Sequence, residues 1–207
     1  MSNIQLYDYF RSSAAYRVRI ALNLKGVEYD RIPINLLENA QSTPAYAEIN
    51  PQMLVPTLIT AGNEILSQSL AICEYLDETI TVHPLLPGDP LQRARVRSMA
   101  GTIACDIHPI ANLRVQRYLR DQFNASDTVI TQWIQHWIGL GFAALETQLS
   151  SHTDFCCGDQ PTLADVCLVP QHYNARRFGV ELKHYPLVNS ISERCQQLRE
   201  FASAHPK

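Results

Sequence analysis

Residues 80–92 interrupt the chain more strongly than any other stretch. They hold three prolines and one glycine, so neither a helix nor a strand can run through them. Short apolar runs alternate with helix-like segments before this stretch, whereas only helical spacing follows it. The sequence therefore predicts a small α/β domain, a linker and an all-helical domain, at residues 1–82, 83–91 and 92–207.

The first part is predicted to be a βαβ unit followed by a hairpin and a helix. Ile4 and Leu6 share one face of a strand, and the helical spacing that includes Val18 stops at Gly26. A second strand after that helix suits a parallel pair. Pro56 then opens an apolar run that returns through a tight turn. The later elements are predicted over residues 29–36, 56–66 and 69–78.

The second part is predicted to be helical throughout. Pro109 and Pro170 should bend two of its helices, because proline lacks the N–H that a helix interior uses. Thr162 and Asp165 have the spacing of a capping box, with Asp where Glu is usual. Helices are predicted over residues 92–122, 125–149, 163–178 and 187–202. The side chains expected to face inward from the second of these are Trp133, Trp137, Phe142 and Leu145.

Composition excludes several classes of function. The formal net charge of −3 argues against a nucleic-acid or membrane-surface binder. No leader opens the chain and no apolar run is long enough to span a bilayer, so a cytoplasmic location is expected. The six cysteines and seven histidines lack metal-ligand spacing. We therefore expect no metal, and reduced, mostly buried thiols.

Ser12 and Ser13 lie where the first predicted strand leads into the first helix. A short hydroxyl at such a place can accept a hydrogen bond from an unpaired helix amide. The amides and the dipole of a helix N-terminus also favour negative charge. This arrangement predicts either a simple helix cap or a site for a phosphate, a carboxylate or a thiolate.

Five segments together resemble one protein family over nearly the whole chain. They are residues 12–22, 55–58, 68–72, 168–171 and 175–178. The first is similar to the signature S-S-C-S-x-R-V-R-I-A-L of the zeta class of cytosolic glutathione transferases. The resemblance implies a thioredoxin-like α/β N-terminal domain, an all-α C-terminal domain and a homodimer. In this family the peptide that precedes the proline at position 56 is cis.

The resemblance also implies roles for particular residues. Ser12 would hydrogen-bond the sulfur of glutathione. Ser13, its neighbour at the start of the helix, would be the second catalytic residue. Val55 would pair its backbone with the cysteinyl part, and Gln68 and Ser69 would hold the γ-glutamyl carboxylate. The remaining positions that align with glutathione contacts are Gln41, His108 and Asn112.

The activity that the resemblance implies is glutathione-dependent cis–trans isomerisation of maleylacetoacetate to fumarylacetoacetate, in tyrosine and phenylalanine breakdown. A thiolate adds to the double bond, the resulting single bond rotates, and elimination restores the alkene, so glutathione acts as a cofactor. The substrate is a small dicarboxylate, for which arginine is well suited. The candidate substrate-binding residues are Arg11, Arg176 and Arg177. The arginines interpreted as structural or dimer-interface residues are Arg17, Arg19, Arg114, Arg117 and Arg120.

Three alternatives remain open from the sequence. Maleylpyruvate isomerases resemble this chain but carry an arginine after the asparagine that corresponds to Asn112, where this chain has Leu113. A transferase that conjugates glutathione to small electrophiles would need an apolar second pocket. A non-catalytic glutathione-binding protein would not need the arginines.

The chain departs from the class signature at one place. Ala14 stands where the signature has cysteine, and Ala15 stands where it has serine. Because the attacking sulfur belongs to glutathione, we expect activity to survive without that cysteine.

Overall fold

The computed structural model describes residues 3–206, which form two compact units. The first unit comprises residues 3–85 and 198–206, and the second comprises residues 86–197. The segment 198–206 thus belongs to the first unit, whereas the sequence pattern placed it in the helical domain. The α-helices are α1 (Ser13–Leu24), α2 (Pro44–Ile49), α3 (Ser69–Thr79), α4 (Pro90–Gly101), α5 (Leu113–Phe123), α6 (Asp127–Gln148), α7 (Leu163–Arg177), α8 (Pro186–Gln197) and α9 (Arg199–Ala204).

A four-stranded sheet forms the centre of the first unit. Its strands are β1 (Gln5–Asp8), β2 (Asp30–Pro33), β3 (Thr57–Ile59) and β4 (Ile65–Ser67). Their order is β2-β1-β3-β4, with β1 and β2 parallel and the other pairs antiparallel. Leu6 of β1 faces Leu58 of β3, and both are fully buried. The predicted βαβ unit, hairpin and following helix are confirmed.

Capping and burial explain α1. Ser12 caps its start, and Val18, Ile20 and Leu22 are fully buried. Gly26 follows the last turn with φ of 65°, a left-handed conformation that residues with a Cβ adopt at a cost. The expected start and stop of this helix are both confirmed.

A buried lysine anchors the chain beyond α3. Lys25 Nζ lies 2.7 Å from Asp77 Oδ1 and donates to the carbonyls of Ile80 and His83 at 2.9 and 3.0 Å. All three ammonium protons therefore have acceptors. Neither a helix nor a strand occurs between α3 and Pro90, so the predicted interruption is confirmed up to residue 89. Its end is earlier than predicted, because Asp89 caps α4 and Pro90 is its first residue, a position that proline tolerates.

The end of the chain differs from its prediction as a single helix. The backbone is extended at Leu198, with φ −74° and ψ 135°, and α9 begins after it. Arg19 Nε donates to the carbonyl of Ala204 at 3.0 Å, and Asn23 Nδ2 donates to the carbonyl of Glu200 at 2.8 Å. These contacts from α1, together with the burial of Phe201, hold α9 in the first unit.

In the second unit, the long predicted helix is divided rather than merely kinked. A π-helical segment, Thr102–Ile107, follows α4, and a 3-10 turn begins at Pro109. Proline cannot donate to the carbonyl one turn earlier, which ends regular helical bonding there. A Cβ on Gly141 of α6 would lie 2.1 Å from Ile107 Cδ1, so glycine permits α6 to approach the π-helical segment.

The buried face of α6 is aliphatic more than aromatic. Ile134 and Ile138 are fully buried, as is the predicted Phe142, and Leu145 is buried as expected. The two tryptophans predicted to face inward are only half-buried. Trp133 instead donates from Nε1 to the carbonyl of Ile110 at 3.0 Å, so its polar edge joins α6 to the chain before α5.

The predicted capping box begins α7. The buried carboxylate of Asp165 accepts from the amide and the hydroxyl of Thr162 at 2.8 and 2.9 Å. Burial raises the pKa of Asp165, and these hydrogen bonds oppose that shift. The helix then continues through Pro170 without a break.

All six cysteines lie among the described residues and are thiols rather than disulfides, and four of them are buried. Cys105 is exposed and Cys157 is half-buried. Among residues 3–206 there is no group of three histidine, cysteine or acidic side chains that could hold a metal ion. Within the same range, no helix has the length and apolarity that crossing a membrane requires.

Candidate active site at two helix N-termini

Strand register brings three of the candidate residues to the same end of the sheet. Tyr7 pairs with Thr57, and Thr57 pairs with Ser67, both in antiparallel fashion. The chain after β1, the chain before β3 and the chain after β4 therefore leave the sheet at one end. These three segments carry Ser12, Val55 and Ser69.

Ser12 caps α1 as a hydrogen-bond acceptor, which leaves its hydroxyl able to donate. Its Oγ accepts a hydrogen bond from the amide of Ala15 at 3.2 Å, and its backbone is extended, with φ −68° and ψ 117°. The hydroxyl proton has no acceptor within the part of the chain that the structure describes. Ser13 is the first residue of the helix and is buried. The Ser12 side chain is half-buried and can donate to a bound atom.

Arg11 places a positive charge beside this helix start. Its side chain is exposed, and its guanidinium lies over the Phe10 ring at 5.0 Å. It has no carboxylate partner among the described residues. The helix carries no acidic residue in its first turn. The surroundings of Ser12 therefore favour an anion.

The N-terminus of α3 lacks a side-chain cap. Gln68 occupies the N-cap position with φ 69° and ψ 113°, an uncommon conformation for a residue with a Cβ. Its exposed side chain donates from Nε2 to Gln52 Oε1 at 2.8 Å instead of to the helix. The first amides of α3 are left without a side-chain acceptor, which is typical of an anion site.

Ser69 begins α3 and is bound by a buried arginine. Arg17 Nη1 donates to Ser69 Oγ at 3.0 Å, and both side chains are buried. The sequence predicted a structural or dimer-interface role for Arg17 and gave no indication of this contact. Helical spacing indicated only that Arg17 lies on α1; the packing of α3 against α1 brings the two residues together.

Val55 and Gln41 complete the candidates of the first unit. The Val55–Pro56 peptide is cis, as the resemblance implied. Neither the N–H nor the C=O of Val55 has a hydrogen-bond partner among the described residues. Gln41 is buried in a 3-10 turn, and its Oε1 is likewise without a partner. Register does not place Gln41 at the end of the sheet that carries Ser12.

The other candidates lie in the second unit, at two further helix ends. Asn112 caps α5, because its Oδ1 accepts from the amide of Val115 at 3.1 Å. His108 is half-buried at the junction between the π-helical segment and the 3-10 turn. Both residues therefore shape the chain between α4 and α5.

Arg176 and Arg177 form the last turn of α7, and both are exposed. Arg177 Nη1 donates to Asn174 Oδ1 at 3.2 Å, and its guanidinium lies over the Phe178 ring at 5.1 Å. Neither arginine forms an ion pair with a carboxylate in residues 3–206. Cations at a helix C-terminus are favourable in themselves, so these two also stabilise α7.

Comparison with known proteins agrees with this architecture. The family model described as the N-terminal domain of glutathione S-transferase matches residues 11–79. A Pseudomonas aeruginosa protein named maleylacetoacetate isomerase is 46% identical, over 98% of this chain and 96% of its own.

Two solved structures resemble both units. A bacterial maleylpyruvate isomerase, described as a zeta-class glutathione transferase, has a TM-score of 0.95 and 43% identity, covering 98% of this chain and 96% of its own. The maleylacetoacetate isomerase of Methylobacterium extorquens AM1, solved with malonate and glutathione, has a TM-score of 0.94 and 40% identity, with the same coverage.

The first unit thus has the thioredoxin-like fold of a glutathione transferase N-terminal domain, followed by a helical unit. With relatives above 40% identity over nearly the full length, the chain belongs to the zeta class of glutathione transferases.

Proposed function

We propose that this protein is a glutathione-dependent cis–trans isomerase that converts maleylacetoacetate to fumarylacetoacetate. The observation that carries the proposal is the pair of helix N-termini at one end of the sheet, each bearing a serine hydroxyl whose proton has no acceptor in residues 3–206. Glutathione has a sulfur and a γ-glutamyl carboxylate, and both form hydrogen bonds as anions. The M. extorquens relative has glutathione bound.

The residues of the first unit suit glutathione in chemical type. Ser12 would donate to the sulfur, and Ser69 with the first amides of α3 would hold the γ-glutamyl carboxylate. The unpaired N–H and C=O of Val55 would hydrogen-bond the cysteinyl part as an added strand does. Gln68 and Gln41 would supply side-chain amides. Ser13, His108 and Asn112 are proposed as further contacts.

Bound glutathione supplies a thiolate that adds to the cis double bond and leaves again after rotation. A free thiol has a pKa of about 8.5, so the site must favour the anion at neutral pH. Ser12 would do so by donating a hydrogen bond from its hydroxyl to the thiolate, and the N-terminus of α1 would contribute its dipole. The chain has Ala14 where the class signature has cysteine, and the proposed mechanism does not need that cysteine because the attacking sulfur belongs to glutathione.

Arginines are proposed to bind the two carboxylates of the substrate. Arg11, Arg176 and Arg177 are exposed and have no ion-pair partner within the described residues. A planar guanidinium can bind a carboxylate through two parallel hydrogen bonds. The dicarboxylate malonate bound to the M. extorquens relative supports a small dicarboxylate as the ligand class.

We further propose a cytoplasmic homodimer that acts in tyrosine and phenylalanine breakdown.

An ultraviolet assay with maleylacetoacetate tests the proposal. We expect isomerisation only when glutathione is present, with glutathione recovered unchanged. Equal rates without glutathione would refute the mechanism, and consumption of glutathione with each turnover would indicate a conjugating transferase.

Maleylpyruvate is the second candidate substrate, because the structure with a TM-score of 0.95 carries that name. Leu113, the apolar first residue of α5, follows the Asn112 cap in this chain. An apolar side chain there gives a shorter dicarboxylate no extra cation, so maleylacetoacetate should have the higher kcat/KM. A higher value for maleylpyruvate in the same assay would reverse the assignment.

A further inference from the structure

We propose that Arg17 is a positioning residue for glutathione. It orients the Ser69 hydroxyl, and its positive charge stabilises the bound γ-glutamyl carboxylate. This inference rests on the proposed function, since it takes glutathione as the ligand. It assigns to a buried arginine a specific part in recognising one carboxylate. A purely structural arginine would affect stability without distinguishing one ligand from another.

The first step concerns the charge of Arg17. Its side chain is 2% exposed, it has no carboxylate partner among the described residues, and its Nε and Nη2 have no hydrogen-bond partner. Among the described residues of the first unit, the two other deeply buried cations are compensated. Arg19 pairs with Asp8, and Lys25 pairs with Asp77. An uncompensated buried cation is costly, and a bound anion nearby would offset that cost.

The second step concerns the direction of the hydrogen bond. A guanidinium can only donate, so Ser69 Oγ must accept the 3.0 Å bond from Arg17 Nη1. The Ser69 proton then points elsewhere, and no acceptor for it occurs in the described part of the chain. Ser69 is buried, so the proton is held ready for a ligand at the start of α3.

The third step identifies the group that is recognised. The 11-residue helix α3 starts at Ser69 without a side-chain cap, so its dipole and first amides favour negative charge. Arg17 adds a full positive charge, and its guanidinium lies one hydrogen bond away from the Ser69 hydroxyl. The amino group of the γ-glutamyl residue is cationic and would be repelled, whereas its carboxylate matches all three features.

Calorimetric titration with two ligands tests the proposal. One ligand is glutathione, and the other is 4-aminobutanoyl-cysteinyl-glycine, which lacks only the γ-glutamyl carboxylate. We expect Arg17→Met to weaken the binding of glutathione by at least tenfold and to change the binding of the analogue by less than twofold. Arg17→Lys, which retains a charge and a donor, should recover part of the loss. Equal losses for both ligands, or no loss for glutathione, would overturn the proposal.

A matched control is Lys25→Met, which removes a buried cation from the other end of the same helix. It should lower the thermal unfolding temperature but leave the preference for glutathione over the analogue unchanged. If Arg17→Met fails to fold, Ser69→Ala provides the same test, and an equal effect on both ligands would overturn the proposal. Binding is measured without substrate, so an inactive isomerase that still binds glutathione leaves this inference standing. A wild-type protein that does not bind glutathione overturns the proposed function.

Discussion

Arg19 Nη1 lies 2.6 Å from Asp8 Oδ1, and both side chains are buried. Arg19 also donates to the carbonyls of Phe10 and Ala204, each at 3.0 Å. One guanidinium thus joins β1, the loop that leads to Ser12 and the C-terminal helix α9. Burial lowers the pKa of Arg19, and the charge of Asp8 opposes that shift.

Arg19→Met should therefore destabilise the fold strongly, because it leaves the Asp8 carboxylate buried with one partner fewer. Removing one member of a buried pair costs about 3–5 kcal/mol. Denaturant unfolding measures this free energy. Arg31, which donates from Nε to Asp8 Oδ2 at 2.8 Å but is half-exposed, is the control, and Arg31→Met should cost clearly less. Equal costs for the two variants would contradict the role assigned to Arg19.

Ser12→Ala should lower kcat/KM for isomerisation by about tenfold for each unit by which the pKa of bound glutathione rises above the working pH, because less of the glutathione is then present as the reactive thiolate. It also removes the α1 cap, at about 1 kcal/mol of unfolding free energy. The pKa of bound glutathione, followed by thiolate absorbance, should rise towards the free value. Ser12→Thr keeps both hydroxyl and cap and is the matched control. Unchanged thiolate titration in Ser12→Ala would assign Ser12 to capping alone.

His172 should make stability depend on pH. Burial lowers the pKa of this imidazole, the Arg176 charge acts in the same direction, and the Asn189 hydrogen bond opposes both. The unfolded chain binds the proton near the ordinary pKa of about 6.5, while the folded chain binds it only at lower pH. Stability from His172 is therefore complete above about pH 6.5 and falls as pH decreases towards the lowered value.

His172→Gln provides the comparison, since its amide can still donate to Asn189 Oδ1, which lies 2.9 Å from His172 Nε2. The difference in unfolding free energy between wild type and variant should shrink on acidification by about 1.4 kcal/mol for each unit of pKa depression. A constant difference across this range would show that His172 does not titrate on unfolding.

The thiols should react in a defined order with a chromogenic disulfide reagent. Cys105 is exposed and should react first. Burial raises the pKa of Cys157 to about 11 and raises those of Cys156 and Cys195 further, and the Asp165 charge adds to each shift. Because the thiolate is the reacting form, these three should be slow until the protein unfolds. Cys105→Ser should abolish the fast phase, and a remaining fast phase would contradict this order.

Local patterns in the sequence predicted those elements whose boundaries depend on nearby residues. Ser12 and Gly26 bound α1, and Thr162 with Asp165 begins α7, because caps act within one turn of the chain. The break at Leu198, between α8 and α9, had no such signal, since no proline or glycine marks it. It depends on Arg19 and Asn23, which are distant in sequence.

The candidate site divides in the same way. The position at a helix start indicated Ser12, and the family resemblance implied Val55, Gln68 and Ser69. Strand register explains why the segments that carry three of them share one end of the sheet. The sequence predicted only a structural or dimer-interface role for Arg17, because an arginine within an apolar helix carries no local sign of a binding role. Only its 3.0 Å contact with Ser69, across 52 positions of sequence, distinguishes it.

By itself, the sequence determined the order of the elements, the interruption before the helical part and the family, because these depend on short-range patterns of apolar, capping and turn residues. Only the tertiary structure decided where α9 lies, which buried cations are compensated and which hydroxyl protons remain available. The physical reason is that hydrogen bonding and the cost of burying a charge depend on groups that the fold brings together from distant positions.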